Sequence, residues 1–278
     1  MTAEQKSNVN RGEESPFPIS PRVIYAANPL VEVICQLRFP AILRIDSELP
    51  VAFQERIRAQ YPDLRERTDG IPELPGGVPR QIADLLRSSF AARKRAVGYD
   101  FVSPDGLWTV GLTREFLSVG TTRYERWEGF RERLAIPFHA LLDIYQPSFF
   151  TRVGLRYQDL IQRTRLGLQG QEWASLLQPH IAGLLSASNL NADINATFAQ
   201  TAIGFRGNLG QVTLRHGLVQ AADGQETCYL FDADFFTDQR IENDDAYEKL
   251  DYFNHQSGRL FRWCIGNVLH DAMGPQPV

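Results

Sequence analysis

Two stretches of this chain open alike, with Leu37-Arg38-Phe39 in one and Leu155-Arg156-Tyr157 in the other. Around the first, Val31, Val33, Cys35, Leu37 and Phe39 alternate with Glu32, Ile34, Gln36 and Arg38. A period of two is the mark of a strand, apolar on one side and polar on the other. Behind each opening strand the same elements recur: a helix, three strands and a long helix. Self-similarity on this scale constrains a whole architecture. The expected fold is α+β, a tandem duplication of a strand-helix-three strands-helix unit. Its antiparallel sheet should carry the helices on one face and leave the other reachable. The expected boundaries are a flexible N-terminal arm over 1–27, a first repeat over 28–146 and a second over 147–278, packed as one unit. A helix-grip arrangement of each half is the alternative.

Within the first repeat, residues 49–62 read as an amphipathic helix stopped by Pro62. Residues 63–80 are charged and then rich in Pro and Gly, an excursion from the compact fold. Residues 81–96 read as a short helix ending in a basic cluster. Three strands come next, the first two joined at Pro104-Asp105-Gly106, a tight-turn sequence. Trp127, Phe130, Leu134, Phe138, Leu141 and Tyr145 then form a helical stripe, with Pro137 expected to kink it. In the second repeat the helix over 172–188 carries its own proline, Pro179. The glycines of GFRGNLG join two predicted strands, so they read as a hairpin turn and not as a dinucleotide loop. The last helix, 247–269, places Leu250, Phe253, Ser257, Leu260, Phe261 and Cys264 on one side.

Composition narrows the function classes. With 43% hydrophobic and 22% charged residues in 278, the chain is not disordered as a whole. Its net charge of −4 argues against a protein that coats nucleic acid, where phosphate neutralisation demands a basic excess. Of the 29 basic residues only Lys6, Lys94 and Lys249 are lysines. Arginine favours bidentate anion recognition, although a GC-rich genome explains the same bias. Cys35, Cys228 and Cys264 lie far apart in apolar runs, with neither zinc nor disulfide spacing, so each reads as a buried hydrophobe. No secretory signal and no membrane-length apolar run is present, and the expected location is cytoplasmic.

Few residues suggest chemistry. Asp232 and Asp234 share one face of a strand and can hold Mg²⁺ or Mn²⁺ for hydrolytic or nuclease work, although acids before a helix also serve as caps. His255, with Asp251, Gln256 and Arg259 within helical reach, is the best-placed general base among five histidines. Arg38 and Arg156, on the polar side of the two opening strands, have two readings. They contact an anion or nucleic acid on the exposed sheet face, or they bridge carboxylates between the halves, with Glu32 and Asp159 as partners. P-loop and G-x-S-x-G motifs are missing.

The segments NPLVEVICQLRFP (28–40), TTRYERWEGF (121–130), PSFFTRVGLRYQDLI (147–161), DADFF (232–236) and FNHQSGRLFRWCI (253–265) resemble a sporadically distributed bacterial family without an established activity. The element order is similar to the pseudo-twofold saddle of TATA-binding-protein-like folds. The resemblance implies no catalytic residues. The expected function is a non-enzymatic module that binds a protein partner, without a cofactor, and the sporadic distribution of the family implies a mobile-element, defence or toxin-neutralising setting. A hydrolase or nuclease using Asp232 and Asp234, and nucleic-acid binding on the open sheet face, are the alternatives.

Overall fold

The computed structural model describes residues 15–67, 98–190, 193–221 and 224–278. Alternating apolar residues lead the chain into β2 (Leu30–Arg38), after a short β1 (Val23–Tyr25). Two short helices come next, α1 (Arg44–Ser47) and α2 (Val51–Ile57). They are succeeded by β3 (Asp63–Arg67), β4 (Gly98–Val102), β5 (Trp108–Thr113), β6 (Phe116–Thr121) and the long α3 (Trp127–Tyr145). The second half runs β7 (Arg152–Ile161), α4 (Trp173–Leu176), α5 (Pro179–Ala182), β8 (Phe198–Gly204), β9 (Gln211–Gln220) and β10 (Thr227–Thr237). It closes with α6 (Ala246–Cys264), α7 (Asn267–Ala272) and β11 (Pro275–Pro277).

Among the described residues, nine strands form one antiparallel sheet in the order β3-β4-β5-β6-β2-β7-β10-β9-β8. Its centre is the β2–β7 pair, where Gln36 faces Gly154. Arg38 and Arg156 each lie two residues past that crossing, on opposite strands (38 − 36 and 156 − 154). The flanking registers correspond. Gln36 pairs with Ser118 of β6, and Gly154 pairs with Phe236 of β10, each 118 positions on (154 − 36 and 236 − 118).

One face of the sheet is apolar and buried, with Val33, Cys35 and Leu37 of β2 next to Val153 and Leu155 of β7, all at 1% exposure or less. The helices lie against this face. Helix α3 contributes Phe130, Leu134, Phe138 and Leu141, and α6 contributes Leu250, Phe253, Leu260 and Cys264, at the spacing that keeps one stripe inward. All belong to a single core. Burying each Leu or Phe is worth roughly 1.5–3 kcal/mol, so the two stripes fix both long helices to the sheet.

Four expectations need correction. The helix expected over 172–188 is broken: Leu177 and Gln178 are extended, because the residue before Pro179 is steered out of helical backbone, and Leu177 bridges to Ile265 instead. The last helix likewise stops at Cys264 and restarts at Asn267. Residues 63–67 are not an excursion but the outermost strand beside β4. The remainder of 63–80 from residue 68, and the 81–96 helix, lie outside the described residues. The arm expected over 1–27 is, from residue 15, held against the body. Phe17 is buried at 4% exposure against Phe205 and Trp263, and β1 pairs with β11.

Candidate functional site

On the face opposite the helices, antiparallel pairing sets side chains in rows across the strands. One row contains Arg215 of β9, Asp232 of β10, Gln158 of β7 and Glu32 of β2. The next contains Thr213, Asp234, Arg156 and Ile34. Here Asp232 and Asp234 meet arginines. Arg156 donates to both oxygens of Asp232 from Nε and Nη2, each at 2.6 Å, and Arg215 Nη1 adds a third contact at 3.3 Å. Arg152 donates from Nη2 to both oxygens of Asp234 at 3.0 Å and lies over the Phe236 ring. Fork-shaped guanidinium contacts to carboxylates are the strongest kind of ion pair, in energy and in orientation.

Burial alone would depress the Arg156 guanidinium. The charge and hydrogen bonds of Asp232, reinforced by Asp234 and Glu32, instead raise it above its ordinary value. Glu32 has no such partner. Burial pushes its carboxyl up to about 7, against the pull of Arg156 and with the push of Asp232. Its Oε2 and both amide atoms of the facing Gln158 are buried without a hydrogen bond. Glu32 and Gln158 thus form a buried polar pair whose hydrogen bonds are unmet among the described residues.

The structure separates the residues singled out in the sequence. Arg156, Asp232 and Asp234 come together on one face, and Asp232 and Asp234 accept from arginines and cap no helix. Arg38 lies at the other end of the crossing, where its Nε donates to Gln36 Oε1 at 2.9 Å. Arg156 does reach a carboxylate, but that of Asp232; Asp159 lies on the opposite, helix-bearing face, beside Phe231 and Leu30. His255 is exposed on α6, its Nδ1 bonded to the Asp251 carbonyl at 2.7 Å, remote from Asp232. Among the described residues, no three His, Cys, Asp or Glu side chains converge as a metal-holding group. Cys35 and Cys264 are buried thiols whose pKa burial raises, which makes them unreactive.

Sequence reasoning missed Arg152 and Arg215, which complete the network. The signal was present for Arg152: in Arg152-Val153-Gly154-Leu155-Arg156 the alternation puts both arginines on one side. It also missed the sheet edge at β8. Leu218 N donates to Thr197 O and Phe205 N to Gly210 O, so odd-numbered residues of this stretch bond inward to β9. In an antiparallel ladder the even ones, Phe198, Gln200, Ala202 and Gly204, then turn their backbone groups outward. Among the described residues, no strand lies on that side. Every β8 residue except Ile203 is exposed. None is charged and none is proline, the devices that usually blunt an edge, whereas β3 at the opposite edge reads Asp-Leu-Arg-Glu-Arg.

No helix among the described residues is long and apolar enough to cross a membrane. Comparison of the chain with protein-family models, with curated proteins and with solved structures finds no match.

Proposed function

We propose that the protein is a non-enzymatic interaction module that takes up an extended segment of a protein partner along the β8 edge. The observation that carries this reading is the seven-residue uncharged strand with four outward-facing backbone positions. Such an edge supplies hydrogen-bond donors and acceptors in strand register, which is how sheets recognise peptides by strand addition. The outward residues Phe198, Gln200, Ala202 and Gly204 lie in the rows of the face opposite the helices, so an added strand would continue the surface that carries the arginine network. The equal offsets of 118 at β2/β7 and β6/β10 support reading the scaffold as a tandem duplication.

The alternatives draw less support. Arg156 and Arg215 share Asp232, and Arg152 contacts both Asp234 and Asp238, so three carboxylates offset these three arginines and leave little positive field for phosphates. The same contacts occupy the carboxylate oxygens that Mg²⁺ or Mn²⁺ would need.

The test replaces Gln200 with a photo-crosslinking phenylalanine analogue in the full chain, expressed in its native cells. A protein adduct whose crosslinked peptide is an extended segment is expected, and Ala202→Pro should abolish it with the thermal midpoint unchanged. Proline there removes an outward N–H and leaves the inward ladder intact. An adduct that survives Ala202→Pro, or crosslinks only to nucleic acid or to a second copy, would overturn the proposal.

A further inference from the structure

Beneath β1, on the helix-bearing side of the sheet, lies a partly enclosed cavity of about 240 Å³. Its floor is the sheet surface around Tyr157, Asp159 and Phe231, and its wall is the α6 stretch from Asn254 to Cys264. The roof is the strand Val23–Tyr25, clipped to the C-terminal β11, with Tyr25 Oη against His270 Nδ1 at 2.8 Å. The volume exceeds the ~150 Å³ that suffices to hold a benzene ring.

Most of the lining is aromatic or aliphatic. The exception on the floor is Asp159. Counting by two from Val153 through Leu155 and Tyr157 brings this carboxylate onto the core face, where it is 7% exposed. It has no hydrogen-bond or ion-pair partner among the described residues, and burial alone pushes its carboxyl up to about 8. A carboxylate in such a place is costly unless a cation answers it. Arg156, its sequence neighbour but two, is committed to Asp232 on the other face of the sheet. Asp159 acts electrostatically on Tyr25 and Cys264, and neither supplies a positive charge.

We infer that this cavity is a binding site for a small organic amine, its ammonium group on Asp159 and its ring-sized apolar body against Tyr124, Tyr157 and Phe231. Aromatic faces attract an ammonium through their quadrupoles. Of the four arginines that also line the cavity, Arg22 pairs with Glu128, Arg262 bonds Ile265 O and Asn267 Oδ1, and Arg126 is exposed. Arg259 supplies the rival chemistry. It lines the cavity from α6 with a buried Nη1 that has no partner, and an acid would go there instead. Asp159 decides for the amine because it is the more deeply buried of the two groups and sits at the floor, where an arriving ammonium would favour its ionised form.

Isothermal titration of the full chain with 2-phenylethylamine, 2-phenylethanol and 3-phenylpropionate tests the assignment. The amine should bind at least tenfold more tightly than the isosteric alcohol. Asp159→Asn should erase that difference. Ala233→Leu, which keeps the charge and fills the space, should weaken the amine by a similar factor. The second variant keeps the test valid if the first does not fold. Tighter binding of 3-phenylpropionate, equal binding of amine and alcohol, no detectable binding, an amine preference that survives Asp159→Asn, or amine affinity unchanged by Ala233→Leu would overturn the inference.

Discussion

Arg156 grips Asp232 through two parallel contacts, Nε to Oδ1 and Nη2 to Oδ2, both at 2.6 Å, with side-chain exposures of 11% and 6%. The pair joins the central strand β7 to β10, and Arg215 ties β9 to the same carboxylate. Charges this deep must be matched, because removing one partner strands the other in a poor solvent.

Asp232→Asn should therefore lower unfolding free energy by about 3–5 kcal/mol, since Arg156 and Arg215 would both lose their counter-ion. Arg215→Gln should cost less, because Arg156 keeps its fork. The paired change Arg156→Met with Asp232→Leu should cost less than the sum of the singles, since no orphan charge remains. Urea unfolding of these variants and the two singles checks the ranking, and equal losses for Asp232→Asn and Arg215→Gln would contradict it.

Glu32 gives a pH dependence of defined sign. Its folded carboxyl titrates near 7, above the ordinary 4.5, so the fold holds the proton more tightly than the unfolded chain does. The stabilisation is complete below pH 4.5 and is lost as pH rises through 7. The charged groups facing it are Arg156 of β7 and Asp232 of β10, both inside the network. Wild type should lose on the order of a few kcal/mol relative to Glu32→Gln between about pH 4.5 and 8. Parallel stability curves for the two proteins over that range would refute the assignment.

How far the fold was legible depended on periodicity. The stripe Leu250, Phe253, Leu260 and Cys264 repeats with the helix, and Val33, Cys35 and Leu37 with the strand; both kinds of signal are local. The breaks at Pro179 and Gly266 were harder to read because they depend on a partner: Leu177 leaves the helix to bridge Ile265, 88 residues on (265 − 177). The same limit governed the site. Alternation placed Arg156 and Asp232 on polar faces, but only register brings β10 beside β7 and makes them a pair. Asp159 was misassigned as a partner of Arg156 although the count by two from Leu155 already put it on the core side.

Gly217 should prove intolerant of any side chain. It sits on β9 opposite Phe198, and a Cβ there would meet Thr197 O at 2.1 Å and Phe198 Cα at 2.9 Å. These are backbone atoms of the β8 approach, so the strand itself must move. Gly217→Ala should cost about 1–3 kcal/mol, typical of overpacking. It should also speed amide exchange through residues 197–204, with β2 and β7 unaffected. Exchange that rises evenly over the sheet would show instead that the substitution destabilises the whole fold.

Phe17 supplies the last prediction, which concerns the segment that roofs the cavity. Its ring meets Phe205 edge-on with centroids 6.3 Å apart and Trp263 at 5.7 Å, and Ser15 Oγ donates to the buried Gln256 Oε1 at 2.5 Å. Further along, Arg22 pairs with Glu128 at 2.8 Å, an exposed contact that holds little by itself. Phe17 is thus the main apolar anchor ahead of β1. Phe17→Ala removes a buried ring, a change that costs about 3–5 kcal/mol in a central core. At the end of a peripheral segment the loss should appear as local release: the thermal midpoint falls by only a few degrees. Limited proteolysis should then cut within residues 15–22 at least tenfold faster than in wild type. Arg22→Ala, the control, should leave the cleavage rate within a factor of two. If Phe17→Ala leaves that rate unchanged while the midpoint drops sharply, Phe17 belongs to the central core and the segment is not separately anchored.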